Sequence, residues 1–189
     1  MKHKTIAITG GIGSGKSAVS AILIAMGFQV VDCDLLARQV ATEPHVLQKV
    51  KDLLGEEFVS DGQPDRRKIR ATIFGNDELY ASYSAIFWDE IRLVLQNRVA
   101  QFDTVFVEIP VLDAFPFDWD EIWLVESALE TRIARVTQRD GVTEENVLNV
   151  ISKQKQYQIF TRKIANDGSF EDLKKAVEQC VFDAGLILA

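Results

Sequence analysis

Eight residues near the start of the chain, Gly10-Gly11-Ile12-Gly13-Ser14-Gly15-Lys16-Ser17, satisfy the pattern G-x-x-x-x-G-K-[ST] at every fixed position. Glycines at this spacing let backbone N–H groups turn inward around a polyphosphate. In that chemistry Gly11, Gly13, Ser14, Gly15 and Ala18 line the phosphates, Lys16 reaches the β- and γ-phosphates, and Ser17 holds Mg²⁺. A helix beginning near Lys16 would add its positive end to the anion. The octet can also be read as a Gly-rich turn carrying a solvent-facing lysine. Its place directly after the β-rich run Thr5-Ile6-Ala7-Ile8 and before a helical stretch favours the nucleotide. The chemistry narrows to ATP or GTP with Mg²⁺. A base-reading N-K-x-D stretch of the GTPase kind is absent, and 189 residues are few for a ring-forming motor. A small-molecule kinase remains. It requires a group that orients or deprotonates an acceptor hydroxyl, a pocket for the acceptor, and arginines to cover the transferring phosphate.

Asp32-Cys33-Asp34 follows a short apolar run, Phe28-Gln29-Val30-Val31. Ligands of α/β sheets bind beyond the carboxyl ends of the strands, so these acids are expected to face the phosphate loop. Carboxylates at i and i+2 of an extended segment share a side. One would accept a hydroxyl proton while the other positions Mg²⁺ through water. The pair reads equally as an acidic cap on the helix containing Leu35, Leu36 and Arg38, and the residues alone leave both readings open.

The elements that must position these groups alternate along the chain. A strand over 4–9 leads through the loop to a helix from Lys16 to Met26, closed by Gly27. The strand 28–31 and two helical patterns through Leu54 follow, then a loop over Ser60–Asp65. A long helix is predicted over 77–101, with Leu79, Tyr83, Phe87, Ile91, Leu95 and Val99 on one face. Strands are expected at 104–109, 122–125 and 163–165. The capping-box spacing of Ser127 and Glu130 predicts a helix from there to about Arg139. Thr143 would cap a helix through about Gln156, and Ser169 with Asp172 would open the last one. The fold class is α/β, a parallel sheet flanked by helices.

Composition agrees with a single soluble domain: 47% of residues are hydrophobic and 26% charged. It excludes a disordered chain, a collagen-like fibre and a disulfide-stapled miniprotein. The longest apolar run, residues 21–26, cannot span a bilayer, and no secretory signal is visible. Neither membrane nor signal is therefore expected. Cys33 and Cys180 have no metal-ligand spacing and suit a reduced, cytoplasmic setting. The net charge of −7 disfavours nucleic acid as a partner. His3 and His45 receive no role, and Trp88, Trp119 and Trp123 read as core or interface residues.

Residues 8–17 followed by Val30-Val-Asp-Cys-Asp-Leu-Leu-Ala-Arg38 closely resemble the dephospho-CoA kinase family. The resemblance implies a P-loop kinase with a core of about 1–58, 103–128 and 160–189. It implies a helical substrate-binding part of about 59–102 and a small lid of about 136–158. It implies transfer of the γ-phosphate of ATP to the ribose 3′-hydroxyl of dephospho-CoA by a monomer or weak homo-oligomer. The family's base falls on Asp34, an acceptor contact on Arg38, and a substrate segment on Asp61-Gly62, Arg66 and Ile73-Phe74. Glu108-Ile109-Pro110 resembles a strand end where Pro110 borders substrate. Asp32 or Glu108 would order Mg²⁺ water beside Ser17. Arg139 falls on the lid arginine that contacts ATP, and Asn166-Asp167-Gly168-Ser169 on a segment near the family's C-terminus. Each later match also has a plain structural reading: Arg66, Arg67 and Arg70 as a solvated helix face, Arg132 and Arg135 as partners of acids such as Glu130, Pro110 as a strand end. Three places depart from the family: Trp88-Asp89 stands where His-Pro is usual, Ala114 near the place of an acid, and the stretch from Gln154 to Asn166 is about one turn short, with Thr161-Arg162 in place of Ala-Asp. Two other readings stand beside this one, a nucleoside or nucleotide kinase of the same fold and a non-catalytic ATP-binding regulator. A nucleic-acid-dependent ATPase is disfavoured by the charge.

Overall fold

The computed structural model describes residues 4–73, 76–112, 117–154 and 157–186. His3, Phe74, Ala114 and Gln156 lie outside the described residues. The chain forms two compact units, one of Met1–Asp32 with Phe102–Ala189 and one of Cys33–Gln101.

The first unit is built on a five-stranded sheet in the order β2-β5-β1-β6-β7, with every pairing parallel. Its strands are β1 (Lys4–Thr9), β2 (Gln29–Asp32), β5 (Thr104–Glu108), β6 (Glu121–Glu126) and β7 (Arg162–Ala165). The central β1 is buried from Thr5 to Thr9, as a strand covered on both faces must be. Ile6, Ile8, Phe106, Trp123, Val125 and Ile164 form one face of the sheet. Helix α1 (Lys16–Ala25) packs Val19, Ile22 and Leu23 there, at i, i+3 and i+4. Helix α8 (Phe170–Asp183) adds Leu173, Val177 and Val181. Its start is fixed by the reciprocal Ser169–Asp172 cap that the sequence predicts. Trp123 and Phe106 are fully buried and meet edge-on at 5.0 Å, and burying each such side chain contributes about 3 kcal/mol. At the opposite end of the strands Glu121 accepts from Lys4 Nζ at 2.7 Å, Arg162 Nε at 2.8 Å and Trp123 Nε1 at 2.9 Å. Helices α6 (Leu129–Asp140) and α7 (Glu144–Lys153) complete the unit, and Thr143 caps α7 as expected.

One boundary differs from expectation. Ser127 does not cap α6, which begins after Ala128 without a side-chain cap. The Ser127 hydroxyl is instead taken up by the carbonyls of Ser14 (3.1 Å) and Asn166 (2.7 Å). Tertiary partners, these two carbonyls and the Arg135 guanidinium that donates to the hydroxyl at 3.0 Å, take the place of the local N–H it would have capped.

The second unit contains α2 (Cys33–Val40), α3 (Pro44–Leu54), a 3₁₀ turn over Glu56–Phe58, a short hairpin of β3 (Val59–Ser60) and β4 (Gln63–Pro64), α4 (Arg66–Ile73) and α5 (Asp77–Val99). Residues 60–65, expected as loop, make a two-residue hairpin because Asp61 (φ 51°) and Gly62 (φ 71°) both adopt left-handed backbone. Val50, Phe58 and Ile69 form its core against Tyr83, Ile86 and Phe87. The predicted face of α5 is real, and its burial deepens toward Ile91, Leu95 and Val99. Asn76 caps this helix, accepting from Leu79 N at 3.0 Å. His45, left without a role above, pairs with Glu90 at 3.0 Å, and Lys49 joins from the next turn at 2.8 Å.

Candidate active site

The phosphate loop leaves β1 at Thr9 and enters α1 at Lys16. Gly15 is the N-cap of α1 in left-handed backbone (φ 97°). Gly13 is also left-handed (φ 76°), and a Cβ there would lie 2.7 Å from the Arg132 carbonyl oxygen, a backbone atom that cannot swing away. Lys16 arches back so that Nζ donates to the Gly10 carbonyl at 2.9 Å and reaches that of Gly11 at 3.4 Å. The lysine therefore lies over the loop rather than out in solvent. Ser14 Oγ is buried with no hydrogen-bond partner among the described residues. Ala18 N–H is used inside the first turn of α1, donating to Gly15 O at 3.0 Å.

Beside the loop, Ser17 and Ser20 donate to the two oxygens of Glu108, at 3.1 and 2.7 Å. Glu108 ends β5, and Asp32, the last residue of β2, is its register partner. A hydroxyl and two neighbouring carboxylates at the carboxyl edge of the sheet are hard oxygen donors of the kind Mg²⁺ takes, with water and phosphate supplying the rest. Among the described residues no three His, Cys, Asp or Glu side chains gather into an all-protein metal cage. The donor set thus fits a cation that arrives with its nucleotide.

The back of the loop is held by side chains distant in sequence. Asn166, buried, donates from Nδ2 to the Ser14 carbonyl at 2.8 Å. Arg135 donates to Asn166 O at 2.9 Å and Ser127 Oγ at 3.0 Å. Arg132 donates from Nε to the Ile12 carbonyl at 2.8 Å, and Gln154 Oε1 accepts from the Ile12 N–H at 2.9 Å. Ser127 and Gln154 were not foreseen at the site, because their partners in the phosphate loop lie more than a hundred residues away in sequence.

Arg139 borders a hollow of about 210 Å³ with Gly13, Gly15, Lys16 and Ser17. Its guanidinium is exposed and forked onto Asp140 at 2.7 and 2.8 Å, which raises its pKa and depresses that of Asp140. Pro110 follows β5 and is half-buried. Asp34, Arg38 and Arg66 belong to the helical unit. Asp34 is exposed in the first turn of α2, not in the extended segment the i, i+2 argument assumed, since the helix begins at Cys33. Arg38 is exposed in the last turn of α2. Arg66 and Arg70 border a groove of about 650 Å³ walled by Tyr80, Phe87 and Trp88. Trp88, at a position where the sequence departs from the family, is a wall of this groove.

A sheet of this order, with a G-x-x-x-x-G-K-S loop after its central strand, defines a P-loop kinase. The same fold is seen in shikimate kinase from Bacteroides thetaiotaomicron, at 14% identity and a TM-score of 0.58 over 97% of this chain and 99% of the other. The chain belongs to the dephospho-CoA kinase family, whose profile matches residues 4–172. It is 34% identical over 188 residues to a dephospho-CoA kinase of Thermus thermophilus, covering 94% of this chain and 90% of that protein. A crystal structure of a Thermus thermophilus protein matches it with a TM-score of 0.83 at 31% identity, covering 97% and 98% of the two chains.

Proposed function

We propose that the protein transfers the γ-phosphate of ATP to the ribose 3′-hydroxyl of dephospho-CoA, forming coenzyme A and ADP. The acceptor oxygen bonds to Pγ, the bond from Pγ to the β–γ bridging oxygen breaks, and ADP departs with that bond's electrons. Asp34 takes the hydroxyl proton. The loop amides and Lys16 bind the phosphates, Ser17 would hold Mg²⁺ with Asp32 or Glu108 ordering its water, and Arg139 covers the nucleotide. When bound, Mg²⁺ offsets charge on the β- and γ-phosphates. Little covalent work falls to the protein, and positioning with electrostatics carries the rate.

The observation that carries this reading is the loop itself: Lys16 arched over it, with the Ser17–Glu108 pair at the sheet edge beside it. On the acceptor side, Arg66 and Arg70 at the rim of the aromatic groove suit a diphosphate, and Tyr80, Phe87 and Trp88 suit the uncharged pantetheine arm. In this reading Trp88 does the lining that His-Pro does elsewhere in the family, and Arg38 and Pro110 border the acceptor. We assign the protein to the cytoplasm as a monomer or weak homo-oligomer, without nucleic-acid or membrane partners. No described helix is long and apolar enough to cross a membrane, and no disulfide joins Cys33 and Cys180.

Incubation of the purified protein with ATP, Mg²⁺ and dephospho-CoA tests the reading by product mass. Stoichiometric coenzyme A and ADP are expected. ADP without coenzyme A would move the acceptor elsewhere, and neither product with ATP still bound would leave a nucleotide-binding regulator.

A further inference from the structure

Arg132 carries a charge that no directly bonded carboxylate matches among the described residues. Nε is spent on the Ile12 carbonyl, and Nη2 reaches Gln154 Oε1 at 3.4 Å. Among the described residues nothing accepts from Nη1, and no carboxylate is bonded to the guanidinium. Glu126, the acid whose field it feels, is itself ion-paired to Lys163 at 2.5 Å. The guanidinium is half-buried directly over Gly11, where any side chain would collide with it. It fronts a cavity of about 480 Å³ that it shares with Gly11, Ser14 and Glu126, and the buried Ser14 hydroxyl has no partner among the described residues. A partly buried cation with unspent planar donors is costly until an anion takes them, and the oxygens of a phosphoryl group match that fork. Arg139, in contrast, is exposed and already forked onto Asp140.

We propose that Arg132 is the cation that meets the terminal phosphoryl group of the bound nucleotide, and that Gln154 is the positioning residue that aims it. This rests on the ATP-dependent reading above. Gln154 Oε1 accepts from both Ile12 N–H and Arg132 Nη2, so one carbonyl ties the crown of the loop to the arginine. Arg132 and Gln154 together clamp Ile12 by its N–H and its C=O.

The test compares ATP with ADP, which lacks the terminal group. Calorimetry on Arg132→Met should show ATP affinity falling about tenfold while ADP affinity stays within about threefold. With saturating ATP and dephospho-CoA, kcat should fall about 100-fold, because charge on the transferring group grows toward the transition state. Arg132→Lys should recover only a small part of this, lacking the fork. Gln154→Ala should lower kcat about tenfold with ADP affinity unchanged, the split expected of a residue that aims another. Equal losses of ATP and ADP affinity in Arg132→Met, or a kcat within threefold of the parent, would overturn the proposal. The conservative Arg132→Lys keeps the question answerable if the methionine variant does not fold. A parent protein that makes no coenzyme A would refute the acceptor reading, while the ATP-against-ADP comparison would still decide the role of Arg132.

Discussion

Lys16 and Asp34 have separable duties, at the scale of the single residue, in the mechanism we propose. Lys16 donates to two carbonyls of its own loop, which hold its ammonium against that loop. Asp34 stands exposed at the head of α2. Lys16→Ala is expected to lower kcat/KM about 1,000-fold and weaken ATP binding with it, because in the proposed mechanism the lysine touches both ground and transition state. Asp34→Asn is expected to lower kcat about 100-fold or more with ATP affinity nearly unchanged. Turnover of Asp34→Asn equal to the parent's would remove it as the base. The octet 10–17 was legible in the sequence because its chemistry is local. The places of Arg132, Ser127 and Gln154 were not, since each acts on the loop across more than a hundred residues.

Elements were legible where periodicity and caps agree, as in α5 and α8, and less so where a tertiary acceptor claims the capping group, as at Ser127. After the strand 28–31, Asp32 and Asp34 read equally as i, i+2 of an extended segment or as an acidic helix cap. The helix starts at Cys33, which turns its thiol into the core and leaves Asp34 outside. The amino end of β6 offers a prediction of its own. Burial alone would raise the Glu121 carboxyl, but donors from Lys4, Trp123 and Arg162 outweigh it and hold the pKa below the ordinary value. A carboxylate whose pKa is lowered by folding stabilises the native state above its unfolded pKa. That contribution fades as pH falls through the folded value. Glu121→Gln should therefore cost about 2 kcal/mol at pH 7, where Lys4 and Arg162 lose their counter-charge, and progressively less as the pH is lowered through the folded pKa. Urea midpoints of both proteins across that range would check it, and a gap that does not narrow in acid would refute it.

For the whole molecule, charge is unevenly shared: the chain carries −7, yet Arg66, Arg67, Lys68 and Arg70 crowd one short helix. If that helix draws the diphosphate of the acceptor, salt must weaken the attraction, since screening is already strong at about 0.1 M. Raising ionic strength from about 0.05 to 0.5 M is expected to raise KM for dephospho-CoA several-fold, and KM for a bare nucleoside acceptor far less. Equal responses would point away from α4. The sheet order holds a different consequence, for the time at which the molecule can assemble. β1 and β2, the first two strands made, never pair with each other. Both wait for β5, which slides between them and begins only at Thr104. At about 5–20 residues per second of synthesis, the segment between β2 and β5 keeps those two strands waiting for several seconds or longer. A nascent chain halted before Thr104 has no partner strand in this sheet to give them, and they must be sheltered by something other than the fold they belong to.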